Sequence, residues 1–341
     1  MAKNKTEGVG RAWIRALRTE PLARLYIMYG EETYRRETAV GMIRRRLSPE
    51  SGFDWDTVEL RGRGVTPDEI AEAVSTPPLS AERKLVVVRE FDPIKNDISE
   101  LASSLPEDVC LIFDMDDPAW RPDKRTKAYR EIAKYGIFAE FNEAAPEELA
   151  GFVRRCFSDR GHTIDRPEIE YLTFLCTPLM AGLLNEIEKI STYAKGKQIT
   201  REDIDAVASR AVESRIFELC DELAAGRTGR ALLMLADLET AREPAVAVAA
   251  VIARQFRQLY AARLAMEAGR GRNAVMELCG LRYESHASRL MSAARRIPLP
   301  LLRDALIACM EADAALKSSR AGDYDVLRML LMRYGAKAAE V

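Results

Sequence analysis

Apolar positions in the first 143 residues alternate between short continuous runs and stretches with helical spacing. The continuous runs predict strands buried on both faces of a sheet, because such strands have no polar side. Strands that alternate with helices are typical of an α/β domain with a largely parallel sheet. The predicted strands are residues 25–29, 57–61, 84–89, 109–113 and 137–141, and the predicted helices between them are residues 33–45, 66–74 and 126–135.

The pattern changes at Asn142-Glu143-Ala144-Ala145-Pro146, where the strand-like runs stop. Apolar residues then recur at helical spacing, with short turns, for the rest of the chain. We therefore predict an α/β domain over residues 1–143, a small helical domain over 144–212 and a larger helical domain over 213–341. The predicted helices are residues 146–160, 167–175, 180–193, 201–211, 244–268, 301–317 and 324–334.

The segment 24–37 has the strand, turn and helix of a nucleotide-binding unit without the residues that bind phosphates. A phosphate-binding loop carries several glycines, then a lysine for the phosphates and a serine or threonine for Mg²⁺. This chain has Gly30-Glu31-Glu32-Thr33 there. Two carboxylates make the local potential negative, and a single glycine restricts close backbone approach. We therefore expect no nucleotide at this turn.

Asp114 follows the predicted strand 109–113 and resembles the Mg²⁺-binding aspartate of P-loop ATPases. The lysine and the serine or threonine that act with such an aspartate are missing. The sequence therefore favours a turn rich in aspartate after a buried strand. An active ATPase with an atypical phosphate loop stays open as an alternative.

Charge and cysteine content exclude several other classes. The net charge is −2, which does not indicate a surface built for nucleic acid. Six cysteines lie at least 20 residues apart and only two histidines are present, so we expect no metal, no cofactor and no redox motif. No apolar run is long enough to span a bilayer, and we expect a cytoplasmic protein with reduced thiols. Residues 11–18 predict an edge helix rather than a transit-type segment.

The charge is unevenly distributed along the chain. From residue 213 onward, 19 lysines and arginines stand against 16 acidic residues. A short basic stretch, residues 254–272, holds five arginines with only Glu267 as an acidic residue between them. Such a stretch is usually a solvated helix face, but it can also contact phosphates. Arg254 and Arg257 are therefore weak candidates for DNA contacts, and a helical DNA-binding scaffold is a further alternative.

The segment 75–84 combines two prolines with an apolar residue between polar ones. Because proline fixes φ, Pro77 and Pro78 lower the entropy cost of presenting Leu79 to a partner. Alternatively, Leu79 covers the core beneath a buried loop. The spacing alone does not decide between these two interpretations.

Six segments taken together resemble the delta subunit of the bacterial DNA polymerase III clamp loader, and the resemblance covers essentially the whole chain. The segments are LYIMYGEETY (25–34), PPLSAERKLVVV (77–88), DKRTKAYREIAKYGIFAEF (123–141), LLNEIEKISTYAKGKQIT (183–200), IFELCDELAAGRTGRAL (216–232) and RQFRQL (254–259).

This resemblance implies a degenerate AAA+-like first domain, a lid-type second domain and a third domain that joins the collar of the loader. It also implies a non-catalytic subunit of a DNA-directed DNA polymerase holoenzyme, which binds the sliding clamp and holds its ring open. The implied partners are the clamp, the tau/gamma and delta prime subunits through the third domain, and primed DNA.

The resemblance also implies positions for two functional features. In this family two adjacent apolar residues just before the third strand grip the clamp, and counting back from Arg83 places them at Leu79 and Ser80. Leu79 fits and Ser80 does not, so either Pro78 completes the wedge or the register differs by one residue. Active AAA+ relatives carry a nucleotide-sensing arginine in the second domain, and Asn185 stands at that position here.

Overall fold

The computed structural model describes residues 11–47, 55–62, 64–318 and 323–339. The chain divides into two compact units. The first contains the residues up to Ala145 together with Pro178–Gly182, and the second contains Pro146–Thr177 and the residues from Leu183 onward. The second unit therefore includes both predicted helical domains, and the division between them at residue 212 stays a prediction.

The first unit is built on a five-stranded sheet in the order β2-β3-β4-β1-β5, with every pair of neighbours parallel. Apolar clusters cover both faces, because alternate residues of β1, β3 and β4 pack into opposite clusters. This confirms the predicted α/β fold. The strands are β1 Leu25–Tyr29, β2 Thr57–Arg61, β3 Lys84–Arg89, β4 Val109–Asp114 and β5 Ile137–Glu140.

Helices connect these strands largely as predicted. Thr66 caps α3 in a capping box with Glu69. Helix α5 ends at Ile132, three residues early, because the N–H groups of Lys134 and Tyr135 donate to carbonyls three residues back in a tighter turn. Helix α4 was not predicted, since it is short and buries only Ala102. The helices are α1 Arg11–Thr19, α2 Thr33–Leu47, α3 Pro67–Ser75, α4 Ser99–Ser104 and α5 Lys127–Ile132.

The elements of secondary structure named in the second unit are all helices. One apolar core of this unit surrounds α12, whose Val248, Ile252, Phe256 and Leu259 are buried at helical spacing. Helix α9 ends four residues before its predicted end, since Ala208 is extended. The helices are α6 Pro146–Ser158, α7 Arg166–Leu175, α8 Met180–Tyr193, α9 Arg201–Val207, α10 Val212–Ala224, α11 Thr228–Thr240, α12 Ala245–Glu267, α13 Arg272–Cys279, α14 Glu284–Arg295, α15 Leu299–Ser318 and α16 Asp323–Ala339.

Among the described residues, no helix is both long and apolar enough to cross a membrane. The edge helix α1 is confirmed: Leu17 joins the apolar cluster on one face of the sheet, and Trp13 packs edge-on against Tyr26 and Phe141.

Candidate functional site

The carboxyl ends of β1 and β4 meet where parallel sheets usually bind ligands. The chain leaves β1 toward β2 on one side of the sheet and leaves β4 toward β5 on the other. Such a reversal opens a crevice at the carboxyl edge. Gly30 follows β1 and Asp114 ends β4, so the two segments predicted as remnants of a nucleotide site lie together here.

Two arginines fill this crevice and neutralise Asp114. The Arg36 Nε donates to Asp114 Oδ1 at 2.8 Å, and Arg89 Nη1 donates to Asp114 Oδ2 at 2.6 Å. The side chains of Arg36 and Asp114 are 1% and 0% exposed. A buried carboxylate with a guanidinium on each oxygen has its charge compensated and has no open position for Mg²⁺. Asp114 is therefore part of an internal ion pair.

The turn after β1 uses its own amides internally. The Glu32 N–H donates to the Phe141 carbonyl at 3.0 Å and the Thr33 N–H donates to the Glu31 carbonyl at 3.1 Å. The Gly30 carbonyl accepts from Arg36 Nη1. In a phosphate-binding loop the corresponding amides point at the phosphates. In this chain, the amides of Glu32 and Thr33 already donate to carbonyl oxygens of the protein.

Gly30 is required by this turn, so we predict that Gly30→Ala destabilises the protein. Its φ is +115°, and a Cβ there would lie 2.4 Å from the Phe141 carbonyl oxygen. Strained backbone of this kind costs roughly 1–3 kcal/mol, and the clash adds to that cost. Urea unfolding should show a loss of at least about 2 kcal/mol. Gly41→Ala in α2 is the control, because no atom lies within 4 Å and alanine favours a helix; an equal effect of both changes would contradict the prediction.

Glu32 is fully buried and bonds the first turn of α8. The Met180 N–H donates to both of its carboxyl oxygens, at 3.2 and 3.1 Å. Burial raises the pKa of Glu32, while the Met180 hydrogen bond opposes that shift. The amino end of a helix attracts anions through its free amides and its dipole. A side chain of the protein already supplies the anion at this helix end.

The other residues of the predicted nucleotide site have exposed side chains. Glu31 is half exposed and pairs with Arg121 at 3.6 Å, and Thr33 is exposed at the start of α2. Asn185 lies in the second unit with an exposed side chain. Sequence analysis recognised that the phosphate ligands are absent. It did not identify Arg36, whose partner Asp114 is 78 positions away in the sequence.

The predicted clamp-binding loop lies at the opposite, amino edge of the sheet, between α3 and β3. Leu79 is 80% exposed, Ser80 is exposed and Pro78 is partly buried. Exposure excludes the interpretation in which Leu79 covers the core. Whether Pro78, Leu79 and Ser80 contact a clamp stays a prediction.

The carboxylate of Asp56, just before β2, holds this loop in place. Its oxygens accept from three consecutive backbone N–H groups, those of Leu79 at 2.5 Å, Ser80 at 2.8 Å and Ala81 at 2.7 Å. The Ser80 hydroxyl donates a fourth hydrogen bond at 2.8 Å. Arg83 anchors the end of the loop through carbonyl oxygens of residues 22, 23 and 109. The loop therefore presents Leu79 from a fixed backbone.

We predict that Asp56→Asn destabilises this loop. Burial alone would raise the pKa of Asp56, but the hydrogen bonds from Leu79, Ala81 and Ser80 outweigh it and lower the pKa to about 2. An amide keeps only one acceptor oxygen, so the variant should lose roughly 1.5–3 kcal/mol of unfolding free energy.

The effect of Asp56→Asn should depend on pH. The unfolded carboxyl has a pKa of about 3.9, so the contribution of Asp56 is complete above about pH 4 and is lost as the pH falls toward 2. Urea unfolding of both proteins between neutral and acidic pH measures it. Asp68→Asn, at an exposed position, is the control. A difference that does not shrink below about pH 4 would be inconsistent with this role.

Trp55 is an exposed aromatic residue that sequence analysis missed. It directly precedes Asp56 and is 68% exposed. Since Asp56 bonds the Leu79 amide, the backbone of Trp55 lies beside the Leu79 loop. Its only sequence signal is a tryptophan in a polar segment before a strand, which does not by itself indicate a partner.

The basic stretch 254–272 is largely paired. Arg254 and Arg257 are both exposed on α12, and Arg254 lies 3.9 Å from Glu213. Arg263 pairs with Glu267 at 2.8 Å, and Arg272 pairs with Glu284 at 2.5 Å. The pairing leaves less free positive charge than the sequence indicates, and DNA contact by Arg254 and Arg257 stays a prediction.

All six cysteines are free, and burial raises the pKa of Cys110 and Cys176 to about 12. Among the described residues no group of three or more possible ligands is close enough to hold a metal ion.

The fold and the family comparison together indicate the class of this protein. The first unit has a parallel sheet whose carboxyl-edge crevice is filled by the protein's own side chains, and helices follow it. Residues 213–334 match the family described as "DNA polymerase III delta subunit, C-terminal domain". The predicted resemblance of this chain to the delta-subunit family is thereby confirmed.

Individual relatives agree with this assignment. The chain is 24% identical over 262 residues to DNA polymerase III subunit delta of Bacillus subtilis, covering 74% of this chain and 76% of that protein. It is 20% identical over 311 residues to a probable delta subunit of Aquifex aeolicus, covering 87% of each. The solved Bacillus subtilis DNA clamp loader delta protein has a similar fold, with a TM-score of 0.51 at 20% identity over 95% of this chain and 98% of that one.

Proposed function

We propose that this chain is a clamp-loader subunit that binds the sliding clamp of the replicative polymerase and holds the ring open, without hydrolysing ATP. The observation that carries this proposal is Leu79, 80% exposed on a backbone fixed by Asp56. An exposed apolar side chain on an ordered loop is suited to insertion into an apolar pocket, since little entropy is lost on binding.

The absence of catalysis is part of the same proposal. Arg36 and Arg89 occupy both oxygens of Asp114, and Glu32 occupies the amino end of α8. Nucleotide binding would require these internal bonds to be replaced. The sheet then serves as a rigid support for the loop at its amino edge.

Without ATP hydrolysis, this subunit can open the ring only if it binds the open and the closed ring with different affinities. A subunit that binds the open ring more tightly than the closed one shifts the equilibrium toward the open state. A shift from mostly closed to mostly open requires about 5.5 kcal/mol of differential binding if the starting ratio is about 1:99. Leu79 alone supplies roughly 1.5–3 kcal/mol, so neighbouring residues must contribute.

The partners follow from the same assignment. We propose that residues 213–341 form the collar domain, which joins tau/gamma and delta prime subunits, and that primed DNA enters the assembled loader. Exposed apolar side chains on the last two helices support a protein interface there. They are Ile307, Met310, Met329 and Met332.

Binding of purified clamp without nucleotide tests the proposal. Calorimetric titration of the chain with clamp should give a measurable affinity, and any binding of ATP and Mg²⁺ should not depend on Asp114. Absence of clamp binding would overturn the clamp assignment. ATP binding that is lost on changing Asp114 would instead support the ATPase alternative.

A further inference from the structure

A polar cavity lies within the second unit, whereas the Leu79 loop and the Asp114 crevice belong to the first. It has a volume of about 540 Å³ and is lined by residues of α7, α9, α10, α11 and α14. Five arginines line it: Arg201, Arg227, Arg230, Arg289 and Arg296. Neither the clamp contact nor the proposed opening of the ring uses this cavity.

Three carboxylates also line the cavity, and each already has a close arginine partner. Arg289 donates two hydrogen bonds to Asp221, at 3.0 and 2.7 Å. Arg227 donates to Glu222 at 2.5 Å. Glu218 is bonded at 2.7 Å by Arg210, which is not among the lining residues. The acidic side chains of the wall are therefore committed to other cations.

Three arginines of the wall form no hydrogen bond with a carboxylate of the described residues. Arg230 lies 3.9 Å from Glu222, which Arg227 already occupies. Arg201 lies with its guanidinium carbon 3.8 Å from the centre of the Tyr171 ring. Arg296 forms no ion pair with another described residue, although its charge favours the ionised form of Asp221 and opposes the rise of that pKa on burial. Three guanidinium groups around one cavity repel each other unless an anion lies between them.

The charge balance of this cavity favours a phosphate group. Five arginines against three carboxylates leave an excess of two positive charges. A phosphate group carries about −1.5 to −2 near neutral pH and accepts several hydrogen bonds. Guanidinium groups match phosphate oxygens in paired geometry. The Tyr171 ring and the Asp221 carboxylate hold Arg201 and Arg289 in place, which reduces the entropy lost on binding.

We propose that this cavity binds a phosphate group through Arg201, Arg230 and Arg296. The phosphate can belong to a small molecule such as a nucleotide or to a nucleic-acid backbone, and both present the same chemistry to these side chains. The site does not depend on clamp binding, so it stands or falls separately from the proposed function.

Calorimetry on the full chain at low salt tests this site with three probes: pyrophosphate, ATP and a short single-stranded DNA. At least one probe should bind to the wild type. The double variant Arg230→Gln plus Arg296→Gln should weaken that binding about tenfold or more, since charge-assisted hydrogen bonds are lost. Arg303→Gln, at an exposed arginine outside the cavity, should change nothing. Both changed residues of the double variant are exposed, and circular dichroism verifies that it folds.

The three probes distinguish the sources of the phosphate. Stronger binding of DNA than of pyrophosphate assigns the site to a nucleic-acid backbone, and stronger binding of pyrophosphate or ATP assigns it to a small molecule. No binding of any probe, or equal binding by the wild type and the double variant, would overturn the proposal. ATP binding that the double variant leaves unchanged would place the nucleotide elsewhere in the chain.

Discussion

Asp114→Asn is expected to lower the free energy of unfolding by about 3–5 kcal/mol, because it removes the counter-charge of a buried arginine. The Arg36 side chain is 1% exposed, and Asp114 supplies the carboxylate that its Nε contacts at 2.8 Å. The neutral amide leaves the Arg36 charge buried without compensation. Arg89 loses the same partner but is 16% exposed, so it contributes less to the cost.

Urea unfolding followed by circular dichroism measures this loss. Asp116→Asn is the matched control, since Asp116 lies 3.8 Å from the same Arg89 but is 31% exposed. The control should change the unfolding free energy by less than about 1 kcal/mol. A double-mutant cycle with Arg36→Met should give a coupling energy of about 0.5–3 kcal/mol, because the two residues form one ion pair.

Stability also separates the two interpretations of Asp114. An aspartate that holds Mg²⁺ for ATP can be changed to asparagine at little cost to folding, whereas the buried ion pair predicts a large cost. An Asp114→Asn protein as stable as the wild type would contradict the filled-crevice interpretation. Loss of ATP binding in that stable variant would favour an ATPase.

Leu79→Ala is expected to weaken clamp binding about tenfold or more. Removal of most of a leucine side chain from an apolar pocket costs roughly 1.5–3 kcal/mol, and about 1.4 kcal/mol corresponds to a factor of ten. Trp55→Ala should weaken clamp binding by a similar or larger factor. Aromatic anchors often contribute about 2 kcal/mol or more to the binding free energy of an interface. Trp55 then supplies the second apolar side chain of the clamp wedge, a role that the polar Ser80 does not fit.

Calorimetric titration of each variant with clamp measures this loss. Leu233→Ala is the matched control, because Leu233 is 70% exposed but lies on α11 in the second unit. Both variants should keep the unfolding free energy of the wild type, since neither side chain is buried. Equal affinity of Leu79→Ala and Leu233→Ala for the clamp would contradict the assignment of the loop. An unchanged affinity of Trp55→Ala alone would remove only Trp55 from the wedge.

The strands of the sheet could be predicted because each is defined by the apolar pattern of its own few residues. Each buried strand is a continuous apolar run, and three of the five strands begin and end at the predicted residues. Element ends that depend on one turn, such as the end of α9 at Val207, were predicted less well.

Contacts between distant segments explain what the sequence did not reveal about the site. The Arg36–Asp114 pair joins the helix after β1 to the end of β4, and the Asp56–Leu79 bond joins segments 23 residues apart. Both depend on which strands become neighbours. Arginine in α2 and aspartate before β2 are ordinary surface residues until the sheet order is known.

Loss of the sliding clamp from circular DNA, measured with the purified chain and no nucleotide, tests the central proposal most directly. The chain should accelerate release of the clamp well above the spontaneous rate, and Leu79→Ala should abolish most of that acceleration. Addition of ATP should not change the rate for the isolated chain. Release that stays at the spontaneous rate, or that requires ATP hydrolysis by this chain, would contradict the proposed function.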